Sequence, residues 1–180
     1  MSVSRRRFLQ VGLMGGAALA TAGAWSAWRV ADRTRDEGTP LRPEGRAVLG
    51  ALAPAFLAGV VPAATWTPEY TKAFVDRMAT TIGALDPNAR RELRQLFALL
   101  DVGAARIALA GTWRPWATMD ATVAAGILTR WRYGRSALMT SAYQAMHDIV
   151  LGTWYAAPEA WPAIGYPGPP NLLDTPGPRA

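Results

Sequence analysis

Apolar residues recur along this chain at three- and four-residue intervals, the spacing of helices that bury one face. From Arg46 to Val61 the apolar positions are Val48, Leu49, Leu52, Phe56, Leu57, Val60 and Val61. Pro54 interrupts that run, which predicts a kink or two short pieces, and Pro62 ends it. Thr67-Pro68 pairs an N-cap residue with proline at the first helical position. Tyr70, Phe74, Met78 and Ile82 follow at four-residue steps, with Lys72, Asp76 and Thr80 on the opposite side. Asp86-Pro87 repeats the start signal. In the helix it opens, Leu93, Leu96, Phe97, Leu99 and Leu100 form the buried face, and Arg90, Arg91, Glu92, Arg94 and Gln95 the solvated one. The apolar spacing continues through Asp101 to Leu109, which predicts one helix as far as Gly111.

The second half repeats the pattern. Met119, Val123, Ile127 and Trp131 predict a helix over 118–131, broken at Gly134. A longer one opens at Arg135 or Ser136. Its buried line is Leu138, Ala142, Ala145 and Ile149, widened by Met139, Tyr143, Met146 and Val150, with Thr140, Gln144, His147 and Asp148 opposite. It runs out at Trp154-Tyr155, and Pro158 closes it. Beyond, Trp161, Ile164 and Tyr166 are interleaved with Pro162, Pro167, Pro169 and Pro170, and no helix is expected there. The expected fold is all-α: a small bundle of about five helices with an irregular tail rich in proline, glycine and aromatic residues. The tail either caps the bundle or lies in a partner's groove, where preset proline torsions lower the entropy cost of docking.

Composition sharpens this. Apolar residues make up 51% of the 180, enough for one domain core. Abundant alanine and few β-branched residues favour helix. The net charge of +6 includes Arg5, Arg6 and Arg7; from Trp25 onward 16 basic residues face 13 acidic ones. No basic run follows the first residues, so nucleic acid is not an expected partner. The absence of cysteine excludes disulfides, covalent haem attachment, cysteine-ligated iron–sulfur clusters and thiolate zinc sites.

The N-terminus carries an address. Ser4-Arg5-Arg6-Arg7-Phe8-Leu9-Gln10 matches the twin-arginine translocation signal, with Ser4, Arg5, Arg6, Phe8 and Leu9 in its defining places. A mildly apolar stretch and small-residue cleavage options around Ala20 to Ala24 follow. Residues 1–24 are thus expected to be a cleaved leader, with an uncleaved anchor as the alternative, since Phe8 to Trp28 is uncharged over a span of membrane-crossing length. Residues 25–45, broken by Gly38, Pro40 and Pro43, read as a linker; 46–170 as the helical domain with its tail; and 171–180 as a frayed, disordered end.

Candidate chemistry is sparse. No glycine-rich phosphate fingerprint, G-x-S-x-G, H-E-x-x-H or paired-carboxylate motif is present. Asp101 reads as a cap or a bridge to Arg106 rather than a buried acid. Trp113-Arg114-Pro115-Trp116 is a stiff aromatic turn that either plugs the space between helices, the commoner role, or stacks on a ligand. His147 sits on a polar side, where a solvated surface histidine is expected, and no neighbour is suited to be its nucleophile.

Certain residues together resemble a known group. They are Leu99-Leu100-Asp101, Trp131, Ser136, Trp154-Tyr155, Pro158, Trp161 and Ile164-Gly165-Tyr166-Pro167-Gly168-Pro169. With the leader and the cysteine-free helical body, this block, best covered from Leu96 to Pro170, resembles the small exported subunits of flavin-dependent dehydrogenases. That group comprises the gluconate 2-dehydrogenase subunit 3 type and relatives paired with glucose–methanol–choline (GMC) oxidoreductases. The resemblance implies a non-catalytic accessory subunit that assists maturation, export or assembly of a large flavoprotein subunit at the periplasmic face. FAD is then expected in that partner and no cofactor in this chain. Further implied partners are a cytochrome subunit that takes the electrons and the twin-arginine translocase, with membrane contact through the leader or the complex. The interface candidates are Trp131, Trp154, Tyr155, Trp161, Ile164, Gly165, Tyr166, Pro167, Gly168 and Pro169. A second reading is a stand-alone exported enzyme or ligand-binding helical protein with Asp101, Trp113, Trp116 and His147 around one pocket.

Overall fold

The computed structural model describes residues 39–169, and they are all-α: six α-helices and four short 3₁₀ turns, with no strand among them. The export motif at Ser4 to Leu9 and residues 170–180 lie outside the described residues.

The first helix, α1 (Pro43–Phe56), is the axis of the bundle. Its Val48, Leu49, Leu52 and Ala53 are wholly buried. It packs against α2 (Pro68–Gly83), α3 (Pro87–Asp101), α5 (Ala121–Tyr133) and α6 (Ala137–Tyr155), and against the 3₁₀ turn Trp116–Thr118. It starts inside the stretch expected to be linker: Pro43 takes the first helical position and Leu41 is buried just before it. Pro54 does not split it: it falls in the last turn of a helix that stops two residues later.

Four of the five later helices begin where a side chain satisfies free N–H groups; the exception, Gly103–Ala110, follows Val102 without such a cap. Thr67 Oγ1 accepts from the N–H of Tyr70, and Asp86 Oδ1 accepts from those of Asn88 and Ala89. Asp120 does the same for Val123, and Ser136 for Met139. On α2, Phe74, Val75, Met78 and Ile82 turn inward as their spacing predicts. Trp66 meets the rings of Tyr70 and Phe74 edge-on, at 5.3 and 5.7 Å between centroids. Lys72 first, and Arg46 of α1 second, donate to Asp76, and these bonds hold its carboxyl below the usual carboxylate range.

Two expectations are corrected between residues 87 and 111. The run read as one helix is two, α3 and α4 (Gly103–Ala110), because Val102 is extended, with φ −71° and ψ 120°. Arg106 folds back across the break and donates to the Asp101 carbonyl at 3.2 Å and the Trp113 carbonyl at 3.3 Å. Apolar spacing carries on through a corner of this kind without a gap, so periodicity does not register it. Gly111 ends α4 in the left-handed conformation, as expected. Arg94, placed on the solvated side, is instead buried at 8% exposure beside Leu93 and Phe97.

Three helix ends share a device. The last carbonyls of a helix have no partner within it, and here indole N–H groups supply one. Trp116 donates to Leu100 O at the end of α3, Trp131 to Leu109 O at the end of α4, and Trp161 to Tyr155 O at the end of α6, at 3.0, 2.8 and 3.1 Å.

Along α6 the buried positions are Met139, Ala142, Met146, Ile149, Val150, Thr153 and Trp154. Leu138, expected in that line, is 54% exposed because it lies in the first turn, at the corner where α5 ends.

Candidate functional site

The C-terminal segment folds back on the end of α6 through the two 3₁₀ turns Pro158–Ala160 and Pro162–Ile164, where no helical structure was expected. Trp161 is its centre. Its indole N–H donates to the Tyr155 carbonyl, and its own carbonyl accepts from the N–H groups of Ile164 at 3.2 Å and Tyr166 at 3.0 Å. The Tyr166 ring stands edge-on to the indole, with centroids 5.4 Å apart. Gly168 closes the loop at φ +101°, and a Cβ there would lie 3.0 Å from Trp161 Cζ3, so the position needs glycine both for its torsion and for its clearance.

One long-range tie joins this segment to the bundle. Arg77 of α2, whose guanidinium also lies over the Phe74 ring, pairs with Glu159. No sequence signal announces a pair 82 residues apart. The Glu159 backbone N–H first, and Arg77 second, hold the Glu159 carboxyl below the usual carboxylate range. Folding therefore lowers this group's pKa, and the stabilisation is complete at neutral pH and lost as pH falls through the lowered value. Amide protection over residues 158–169, taken relative to the intrinsic exchange rate at each pH, should fall at acid pH in the wild-type protein. In Glu159→Gln that protection should be low already at neutral pH and change little with pH; identical pH dependence of protection in both proteins would remove this tie from the account.

The interface candidates separate into two groups. Tyr155, Ile164 and Tyr166 are 38, 53 and 43% exposed, Trp161 is half-buried, and Gly165, Pro167 and Pro169 are on the surface beside them. With Gly168 they make one outward-facing patch, held by Trp161. Trp131 and Trp154 do not belong to it. Trp131 is 1% exposed, in the core at the end of α5, and Trp154 is 8% exposed, turned inward from the last turn of α6. Their neighbours explain the difference: each lies on the helix face that already carries the buried residues Ile127 and Val150. The indole N–H of Trp154 has no hydrogen-bond partner among the described residues.

The other pocket reading finds its residues divided. Arg106 brings the main chains of Asp101 and Trp113 together, and Trp116 is anchored to the neighbouring Leu100. Yet the Trp116 ring is buried in the core while that of Trp113 is 77% exposed. His147 is elsewhere, half-buried rather than solvated: it stacks on Tyr143, meets Phe56 edge-on and lies 3.2 Å from Asp148. A shallow cleft between residues 40–45 and α3 is lined by none of the four.

Comparison of the chain with protein-family models, with curated proteins and with solved structures gives no match. Among the described residues, no helix is long and apolar enough to cross a membrane, and no three His, Cys, Asp or Glu side chains are grouped to hold a metal ion.

Proposed function

We propose that this chain is a non-catalytic accessory subunit of a periplasmic flavin-dependent dehydrogenase of the GMC type, exported by the twin-arginine pathway and assisting the large subunit's maturation, export or assembly. The observation that carries the reading is the outward patch at Tyr155 to Pro169, where exposed aromatic groups are fixed in place before any partner arrives. Rigid aromatic groups lose little conformational freedom on docking and bury large areas, which is how a few residues dominate an interface. The leader motif at Ser4 to Leu9 and the resemblance of the Leu96–Pro170 block support the same reading. In this arrangement the large subunit holds FAD and passes its electrons to a cytochrome subunit, while this chain contributes binding surface.

The test is recovery of the complex. Affinity-tagged full-length chain, extracted from native membranes with mild detergent, should bring down a much larger protein with a flavin absorption spectrum. Recovery without any flavin-bearing partner, or substrate turnover by the purified chain alone, would end the proposal.

A further inference from the structure

A second exposed surface lies away from the tail, at the corner where α4, the loop after it and the α5–α6 turn meet. Trp131 and Arg130 of α5 reach to the carbonyls of Leu109 and Ala110, which fixes the end of α4 against the end of α5. Arg106, in turn, holds the Trp113 carbonyl. These bonds gather the exposed apolar side chains Ile107, Trp113, Tyr133 and Leu138, at 55, 77, 73 and 54% exposure, around one end of the bundle. That accounts for four of the eight large apolar side chains exposed among the described residues.

The charge along this stretch is mostly positive. From Gly103 to Leu138 the chain holds five arginines, at 106, 114, 130, 132 and 135, and one acid, Asp120, which pairs with Arg114 at 3.6 Å. The described residues after Leu138 hold two acids, Asp148 and Glu159, and neither lysine nor arginine. Arg132 lies over the rings of Tyr133 and Tyr143, at 5.2 and 5.8 Å, which keeps its charge beside the aromatic edge of the patch. Arg135, in the turn itself, is exposed.

We propose that this corner seats on an anionic lipid surface, with Trp113 and Tyr133 at headgroup depth, Ile107 and Leu138 reaching the acyl boundary, and the arginines meeting lipid phosphate. Trp and Tyr favour that depth because each is apolar with one polar group, and clustered basic residues are drawn to anionic lipid. A soluble polyanion uses the arginines but gains nothing from Ile107 and Leu138, so the aliphatic side chains favour a bilayer. The contact belongs to the folded body. It is independent of the leader and of the dehydrogenase reading.

Co-sedimentation of the full chain with vesicles tests it, because wild type and variants carry the same leader and differ only at the corner. Two variants are compared, Trp113→Ala/Leu138→Ala and Arg132→Gln/Arg135→Gln; all four side chains are exposed, and circular dichroism confirms folding. On phosphatidylglycerol–phosphatidylcholine vesicles each variant should bind at least about tenfold more weakly than wild type. On pure phosphatidylcholine the arginine variant should differ little. Equal binding of wild type and both variants to the anionic vesicles would overturn the proposal. Loss in the arginine variant alone would overturn it in favour of a polyanion or an acidic protein.

Discussion

A Trp131→Ala protein is expected to be less stable than wild type by about 3–5 kcal/mol, the cost of emptying a fully packed aromatic site. The ring is 1% exposed and belongs to the same core as Ile127 and Leu128. Its loss also leaves the Leu109 carbonyl without its donor, so that of the two bonds tying the end of α4 to α5 only Arg130 to the Ala110 carbonyl remains. Urea unfolding followed by far-ultraviolet circular dichroism gives the number. Trp131→Phe is the milder change, since it keeps a buried ring while removing the N–H and part of the indole's volume, for an expected loss of about 1–3 kcal/mol. A wild-type unfolding midpoint for Trp131→Ala, together with weaker association with a partner, would return this residue to the interface and contradict its place in the core.

Trp161→Ala and Tyr166→Ala should behave in the opposite way. Each is expected to weaken association with the large subunit by about 2 kcal/mol or more, roughly thirtyfold in the dissociation constant, as anchors at the centre of an interface do. The free subunit should unfold near its wild-type midpoint. The reason is local: the two 3₁₀ turns pack chiefly on each other and on the end of α6. Ala157 and Ala160, the buried residues of this stretch, are untouched by either change. Association can be measured by titrating the variant subunits against the purified partner. Unchanged affinity with a lowered midpoint would make the segment a cap on its own bundle.

The contrast between these two tryptophans shows how far the sequence is legible. Periodicity and start signals place the helices well, because Thr67-Pro68, Asp86-Pro87 and Ser136 act within a turn of themselves. The all-α class and the inward faces of α2 and α6 follow from the same local rules. What periodicity lacks is the neighbour. Leu138 has the right phase to be buried, but α5 ends beside it and nothing covers it. Arg94 has the wrong residue type and is buried all the same, at a cleft it shares with Leu41 and with Gly45 of α1. The interface candidates look alike in sequence, yet burial divides them, with Trp131 and Trp154 inside and Tyr155, Ile164 and Tyr166 outside. The pair Arg77–Glu159, which steadies the outer group, joins two elements that no local rule brings together.

The three indoles that close helix ends give tryptophan a grammatical role in this chain, as punctuation. Phenylalanine at 116 or 131 fills much of the same volume yet leaves a carbonyl inside the bundle with nothing to receive. Tyrosine carries its donor at the far tip of the ring, beyond reach of the same oxygen. Substitutions that are mild in most helical cores are therefore costly at 116 and 131, whose rings lie inside the bundle, whereas at 161 the Tyr155 carbonyl is exposed and water can replace the indole.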